Sequence, residues 1–390
     1  MKKLPLPVAY VPLVDAAPLI IAHELGFADA EGLALDLIPA PSWSSVRDWL
    51  AFGRVDAAHL LSPVPVAMAM KLGGVQTPVS AVSVLSVNGN VIGVSRELES
   101  KLRAIGHEFY LTDARQAAAD LAQVVDHTLV VGVPFPFSVH SELLRYWAEA
   151  SALAGTRLQV VTVPPPLMAQ ALANGEIDAF CVGEPWGSVA VDTGSGALLL
   201  AGSAIWAFAP EKVLAVRTDW AETEPHLLRR LMRAVWKAGH WLGQPGSRIT
   251  AAEILSRARY LDVSAELIDR SLSGDLIASS GGEQRHIDNF LVFHKGAAGF
   301  PWRSQARWIG ARLAMRNGSD PTTGADTGAT VFRTDLYRQH LSDSGADIPG
   351  ASQKLEGAIR DKTAVASAAG RVILQSDAFF DDAIFDPDTG

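Results

Sequence analysis

Apolar and polar positions along this 390-residue chain follow one plan twice. LAFGRVDAAHL (Leu50–Leu60) recurs 122 residues later as LANGEIDAFCV (Leu172–Val182). In both copies a short apolar run, LDLIPA near Leu35 and LQVVTV near Leu158, leads through proline into an amphipathic helical stretch. The helix stops at Gly53 or Gly175, where a left-handed cap suits glycine, and a second apolar run follows at once. Upstream of each copy lies a further run, loop and helix: VAYVPLVDAAPLIIAHELGF first, LVVGVPFPFSVHSELLRYWAEA second. The pattern predicts β-α-β-α-β twice, hence an α/β chain with mainly parallel sheets covered on both faces. Two such lobes enclose a cleft. Helix starts predicted at Asp15–Pro18, Ser42–Ser45, Ser62–Val66 and Ser138–Ser141 turn unpaired N–H groups and positive dipole ends toward it, which favours anions as ligands.

After the second copy, KVLAVRTDW (Lys212–Trp220) reads as a strand returning to the first lobe. Helices are then predicted over Pro225–Leu242, Thr250–Tyr260, Ala265–Leu272, Gln284–Phe293 and Trp302–Met315, and a loop or disordered segment over Gly318–Thr330. This divides the chain into lobe I (1–87, continued by 204–344), lobe II (88–203) and a tail, 345–390, packed on the body. The uncharged run Leu72–Ser95 is long enough to span a bilayer, but Gly73, Gly74, Pro78, Asn88 and Asn90 within it fit buried strands better. At the start, Lys2 and Lys3 precede an apolar stretch that Pro5, Pro7, Pro12, Pro18 and Asp15 interrupt. An export signal needs an unbroken run, so this segment reads as first strand and first helix of a cytoplasmic chain with no membrane contact.

With 48% apolar and 19% charged residues the chain has material for large cores. Its net charge of -9 includes Asp377, Asp381, Asp382, Asp386 and Asp388 in a C-terminal stretch without Lys or Arg. No broad basic field exists to hold nucleic acid or an anionic membrane. A single cysteine, Cys181, excludes an internal disulfide and a multi-cysteine zinc site, and no cluster of ligating residues has metal spacing, so no cofactor is expected. Cys181 follows a predicted strand and lies near Gly183 and Glu184; with no assignable base it reads as a small buried residue rather than a nucleophile.

SWSSVRDWLAFGRVDAAHLLSPVPVAMAM, VNGNVIGVS, GVPFPFSVHSELLRYW, VVTVPPPLMAQALANGEIDAFCVGEPW and PEKVLAVRTDW resemble, in order, motifs of the nitrate- and bicarbonate-binding proteins of ABC transporters. The likeness runs from about Val8 to Trp308, and FFDDAIFDPD is similar to family tails. It implies a two-lobed periplasmic-binding-protein-like fold of type II with an interlobe ligand cleft. Carried over residue by residue, it implies an anion site of Trp43, Asn90, His140 and Lys212, with Gly183 and Glu184 behind it. Nitrate is flat, singly charged and accepts through three oxygens. Lys212 would supply charge, Trp43 an indole N–H, Asn90 an amide N–H and His140 a ring N–H, a set made of donors alone. Asn90 stands where the transporter proteins commonly carry glutamine, one methylene longer. Relatives that bind bicarbonate place an acidic group near the Lys212 position, so lysine points to nitrate.

Without an export signal or lipid-anchor cysteine near its start, the chain resembles the cytoplasmic nitrate/nitrite-sensor branch of that family. The resemblance implies a partner, a response-regulator-like RNA-binding antiterminator, held by the ligand-free sensor and released by nitrate or nitrite. The alternatives are the substrate-binding component of an ABC nitrate or bicarbonate transporter and, further off, a cysteine-dependent enzyme of the same superfamily.

Overall fold

A computed structural model describes residues 3–389. In chain order its main strands are β1 (Leu4–Tyr10), β2 (Leu33–Pro39), β3 (Ala57–Leu61), β4 (Val79–Asn88), β5 (Asn90–Ser95), β6 (Leu129–Val133), β7 (Leu158–Thr162), β8 (Ala179–Gly183), β9 (Gly196–Ala201) and β10 (Pro210–Arg217). They form one sheet ordered β4-β10-β3-β1-β2, extended past β4 by the short strand Leu291–Val292, and another ordered β7-β6-β8-β5-β9.

The repeat is present in the strand register. β1 and β2 pair in parallel with partners 29 residues apart, Leu4 with Leu33, as do β6 and β7, Leu129 with Leu158. Gly53 and Gly175 sit at φ 74° and 69°, and each donates its N–H to a leucine carbonyl three residues back, Leu50 or Leu172. Only glycine enters that left-handed region without steric cost, so both copies turn from helix to strand at the same place. Each sheet then adds a strand antiparallel to its third, and the chain delivers that strand from the other lobe: β10 beside β3, β5 beside β8. The sheets are therefore mixed, and the fold is the two-lobed periplasmic-binding-protein-like one. β3, β4, β8 and β9 are buried along their whole length, as sheets covered on both faces require.

Two crossings join the lobes, Asn88–Asn90 and the segment from Gly202 to Ala209. One side chain ties them. Asn88 Nδ2 donates to the Ala207 carbonyl at 2.8 Å and to that of Asn289 at 3.1 Å, while its Oδ1 accepts from Ala209 N at 3.0 Å. Gly89 stands at φ 92°, and a Cβ there would lie 2.7 Å from Leu291.

Two predicted segments fold differently. Gln284–Phe293 is not a helix: Gln284–His286 pairs with Asp275–Ile277, and Leu291–Val292 pairs with the end of β4. Asn289 at φ 52° breaks any helix between them. Gly318–Thr330 is not a loop, because Pro321–Val331 is a helix capped by Asp320. Its glycines serve close packing on the Arg303–Arg316 helix. A Cβ on Gly324 would meet the Gly310 carbonyl oxygen at 2.4 Å, and one on Gly328 that of Ala306 at 2.2 Å. A composition typical of loops thus permits a tight helix pair.

The C-terminal chain forms the hairpin Thr363–Ser367 and Gly370–Leu374 and then runs over both lobes. Phe379 stacks on Trp206 and Trp308, and the Tyr146 hydroxyl donates to Asp381 at 2.8 Å. Lys354 is held between Glu356, at 2.5 Å, and Asp377.

Candidate functional site

The ends of β1, β3 and β8 and the starts of β5 and β10 meet between the lobes, and the side chains that converge there are charged or polar yet buried. Asp15 sits on a short 3-10 turn, Val14–Ala16, whose Val14 N–H donates across the lobes to the Glu184 carbonyl at 3.0 Å. Trp43 opens the helix Trp43–Ala51, fixed by Ser42, whose hydroxyl accepts from Ser45 N at 3.2 Å. His140 is the second residue of the helix Val139–Glu149, fixed in the same way by Ser138. His59 is the middle residue of β3. Glu211 and Lys212 are neighbours on β10, and neighbours on a regular strand point to opposite faces. Here the pairing with β4 shifts register between Pro210 and Val213, a bulge that lets both side chains enter one cluster.

Lys212 Nζ donates to Asp15 Oδ2 at 2.7 Å and to Glu211 Oε1 at 2.6 Å. Asp15 Oδ1 lies 2.9 Å from His59 Nε2, and Glu211 Oε1 lies 3.2 Å from His140 Nδ1. Asn90 Nδ2 donates to Glu211 Oε2 at 2.9 Å. The ammonium lies 5.3 Å from the Trp43 ring centroid, near enough for a cation–π contact. Asp15, Trp43, His59, Asn90, His140, Glu211 and Lys212 are each at most 2% exposed. Gly183, opposite Asn90 on β8, leaves room for this: a Cβ there would lie 2.8 Å from Leu13 and 3.6 Å from His140 Nε2.

The structure therefore brings Trp43, Asn90, His140 and Lys212 together, with Gly183 beside them. Glu184 it does not. Its carboxylate faces away, accepting from Ser188 N at 3.1 Å and lying 3.5 Å from Ser271 Oγ, and only its backbone carbonyl touches the turn that carries Asp15. Three members were missed: Asp15, His59 and Glu211. The expectation of a donor-only pocket is corrected by them, since Lys212 is met by two carboxylates. The acidic group that separates bicarbonate binders from nitrate binders in the sequence argument is one residue away, at Glu211. Asp15 at a predicted helix start and Glu211 beside the predicted lysine were visible, whereas His59 in the apolar run AAHLL reads as core.

Burial and neighbours set the protonation states. Burial would raise the pKa of Asp15, but Lys212 and His59 hold it well below the usual carboxylate range. Burial would lower that of Lys212, but Asp15 and Glu211 raise it above the ordinary lysine value. His140 is pushed down to about 4 by burial, against the pull of Glu211, and His59 is lowered for the same reason against Asp15. Both imidazoles are neutral at pH 7, and the cluster carries one cation against two carboxylates. Trp43 Nε1, His140 Nε2 and His59 Nδ1 are buried without a hydrogen-bond partner among the described residues. Buried polar groups are nearly always paired, so the Trp43 N–H and the two free ring nitrogens, aimed into an interlobe cluster, mark a place built to receive a polar ligand. Cys181 is buried on β8, and burial pushes its thiol up, which disfavours the thiolate a nucleophile needs. No group of three potential metal ligands is gathered among the described residues, and no helix among them is long and apolar enough to cross a membrane.

Residues 1–256 match the model of the NMT1-like family. The chain belongs to the NMT1-like family. Within it, the nitrate/nitrite binding protein NrtA of Synechocystis sp. is 31% identical over 394 residues, covering 97% of this chain and 81% of that protein. The nitrate import ATP-binding protein NrtC of the same organism is 31% identical over 343 residues; the match covers 86% of this chain and half the length of NrtC. The crystal structure of periplasmic nitrate-binding NrtA from Synechocystis PCC 6803 superposes with a TM-score of 0.82 at 27% identity, covering all of this chain and 97% of that one. This NMT1-like chain thus shares its two-lobed frame with NrtA along nearly its whole length.

Proposed function

We propose that this chain is the substrate-binding component of a nitrate or nitrite transporter, taking the anion into the interlobe cluster around Lys212. One observation carries the reading. The buried, unpartnered Trp43 Nε1 and His140 Nε2 stand beside a buried ammonium at the lobe boundary of a chain similar to NrtA over its length. A trigonal oxyanion accepts a hydrogen bond from Trp43 Nε1, and a second from His140 Nε2 once that nitrogen is protonated, because the one proton of the neutral ring belongs on Nδ1, facing Glu211. The partner that follows is a membrane transporter. The sensor role, with its RNA-binding antiterminator and cytoplasmic placement, rested on the start of the sequence, and the relatives named above are transport proteins.

Bicarbonate is the second reading, favoured by Glu211 and Asp15. It carries an O–H that needs an acceptor, and the cluster holds two carboxylates that nitrate cannot use. Titration calorimetry of the chain with nitrate, nitrite and bicarbonate tests both readings. One nitrate or nitrite per chain with bicarbonate much weaker supports the first, and the reverse order supports the second. No heat from any of the three at millimolar concentration overturns both.

A further inference from the structure

His140 is 1% exposed and Lys212 not at all, so an anion reaches them only when the lobes part. His140 belongs to lobe II, on the helix Val139–Glu149. Glu142 and Glu149 lie about 200° and about 180° around that helix from it, on the face turned from the cluster. Lobe I meets them there with the helix Arg303–Arg316: Arg316 Nη2 lies 3.1 Å from Glu142 Oε1, and Arg312 Nη2 lies 2.6 Å from Glu149 Oε2. Arg316 Nη1 also donates to the Pro136 carbonyl at 2.9 Å, in the loop that leads into the lobe II helix, and its guanidinium lies 5.6 Å from the Phe137 ring. Phe137 in turn touches lobe I, since a Cβ on Gly73 would lie 2.8 Å from its ring. The helix Arg303–Arg316 is fixed to lobe I through the helix Pro321–Val331. A Cβ on Gly328 of that helix would meet the Ala306 carbonyl on one side and Val66, in the helix Pro63–Ala69, on the other.

This seam is charged and incompletely paired. Glu142 is buried, yet neither of its oxygens makes a hydrogen bond among the described residues, and the Nε atoms of Arg145, Arg312 and Arg316 are buried without partners too. A permanent contact buries such groups paired or replaces them by apolar side chains, whereas partly paired polar contacts belong to surfaces that come apart. We propose that Arg316 is a positioning residue for the anion site: its grip on Glu142 and Pro136 latches the lobes shut and seats the turn that carries His140. The proposal rests on the reading of the Lys212 cluster as an anion site. That site is complete only in the shut form, so its apparent affinity scales with the shut fraction, and a residue that shifts the fraction shifts the affinity by the same factor.

Small-angle X-ray scattering of the full chain without ligand reads the opening of the lobes. Calorimetry with nitrate, or with bicarbonate where that is the anion the unsubstituted chain takes, reads the affinity. Arg316→Met is expected to enlarge the radius of gyration and to weaken the anion at least tenfold, and saturating anion should return the radius to the unsubstituted value. Arg316→Lys keeps a cation for Glu142 and should recover part of both losses. Arg316→Met combined with Glu142→Leu strands no charge, so it gives the same test, with the same expected loss, if the single variant does not fold. An unchanged radius, or an affinity within twofold of the unsubstituted chain, overturns the latch. Binding of neither anion by the unsubstituted chain overturns the site reading instead, and the scattering still decides the latch.

Discussion

Nitrate entering the Lys212 cluster meets one cation and two carboxylates already in place, so its charge is not compensated there unless a proton comes with it. His140 is the group placed to take that proton. Its Nε2 is unpartnered, and the charged groups around it are Glu211, Lys212 and Asp15. Burial holds its pKa near 4 in the ligand-free chain. A unit charge about 4 Å from the ring, at an effective dielectric of about 20, favours the imidazolium by about 4 kcal/mol. At 1.36 kcal/mol per unit that is about three units, which puts the pKa in the complex near 7. The complex therefore binds the proton more tightly than the free chain, and affinity is gained as pH falls through about 7 and levels off below about 4. Between pH 7 and pH 5 nitrate binding should tighten roughly fiftyfold, and above about pH 8 it should be flat.

The assay is calorimetry at pH 8, 7, 6 and 5, repeated at pH 6 in two buffers of different ionisation enthalpy, where close to one proton should be taken up per nitrate. His140→Asn keeps an N–H donor and removes the titration, so its profile should be flat. A wild-type affinity that does not change from pH 8 to pH 5, or a proton released rather than taken up, refutes the reasoning. Bicarbonate carries the same single negative charge with its proton already counted, so it should show the same uptake, and its O–H adds only a hydrogen bond to Glu211 or Asp15.

Trp43→Phe removes an N–H that has no partner in the ligand-free chain, so melting should be unchanged while nitrate affinity falls roughly ten- to hundredfold, the worth of about 1.5–3 kcal/mol for a bond to a charged acceptor. Lys212→Ala should abolish binding and also lower stability by about 3–5 kcal/mol, because it strands Asp15 and Glu211 in the interior; denaturant unfolding read beside calorimetry separates the two effects. Glu184, raised by burial to about 7 from 4.5, supports the fold when protonated, and that support is lost as pH rises through about 7. Glu184→Gln should unfold with little pH dependence between 5 and 8, while the unsubstituted chain loses about 3 kcal/mol against it over that range. Gly328→Val drives a side chain into the Ala306 carbonyl and should cost about 1–3 kcal/mol in denaturant unfolding without changing anion affinity.

The repeat was legible because its signal is local. Gly53 and Gly175 end helices by their own backbone conformation, and the apolar runs around them are strands whatever lies elsewhere. The helix Pro321–Val331 was hidden for the opposite reason: Gly324 and Gly328 look like flexibility until the Arg303–Arg316 helix is set against them. Likewise, Gln284–Phe293 carries enough apolar residues for a helix, and only the hydrogen-bonding edge at the end of β4 makes Leu291–Val292 a strand.

The site divides along the same line. Trp43 and His140 lie at helix starts marked by Ser42 and Ser138, so sequence alone aims them toward the cleft. Glu211 and Lys212 could not both be placed from sequence, since alternation sends one inward and the other outward, and it takes the bulge opposite Val87 and Ser86 to bring both in. That bulge decides the chemistry. With Lys212 alone the pocket would be a plain cation for any small anion, whereas with Glu211 and Asp15 beside it the lysine is neutralised in advance. A singly charged ligand must then draw a proton onto His140, and one with an O–H, such as bicarbonate, can in addition donate to a carboxylate, which nitrate cannot. Selectivity between the two anions is accordingly expected to rest on whether the ligand can donate to the two carboxylates that touch Lys212 rather than on the lysine itself.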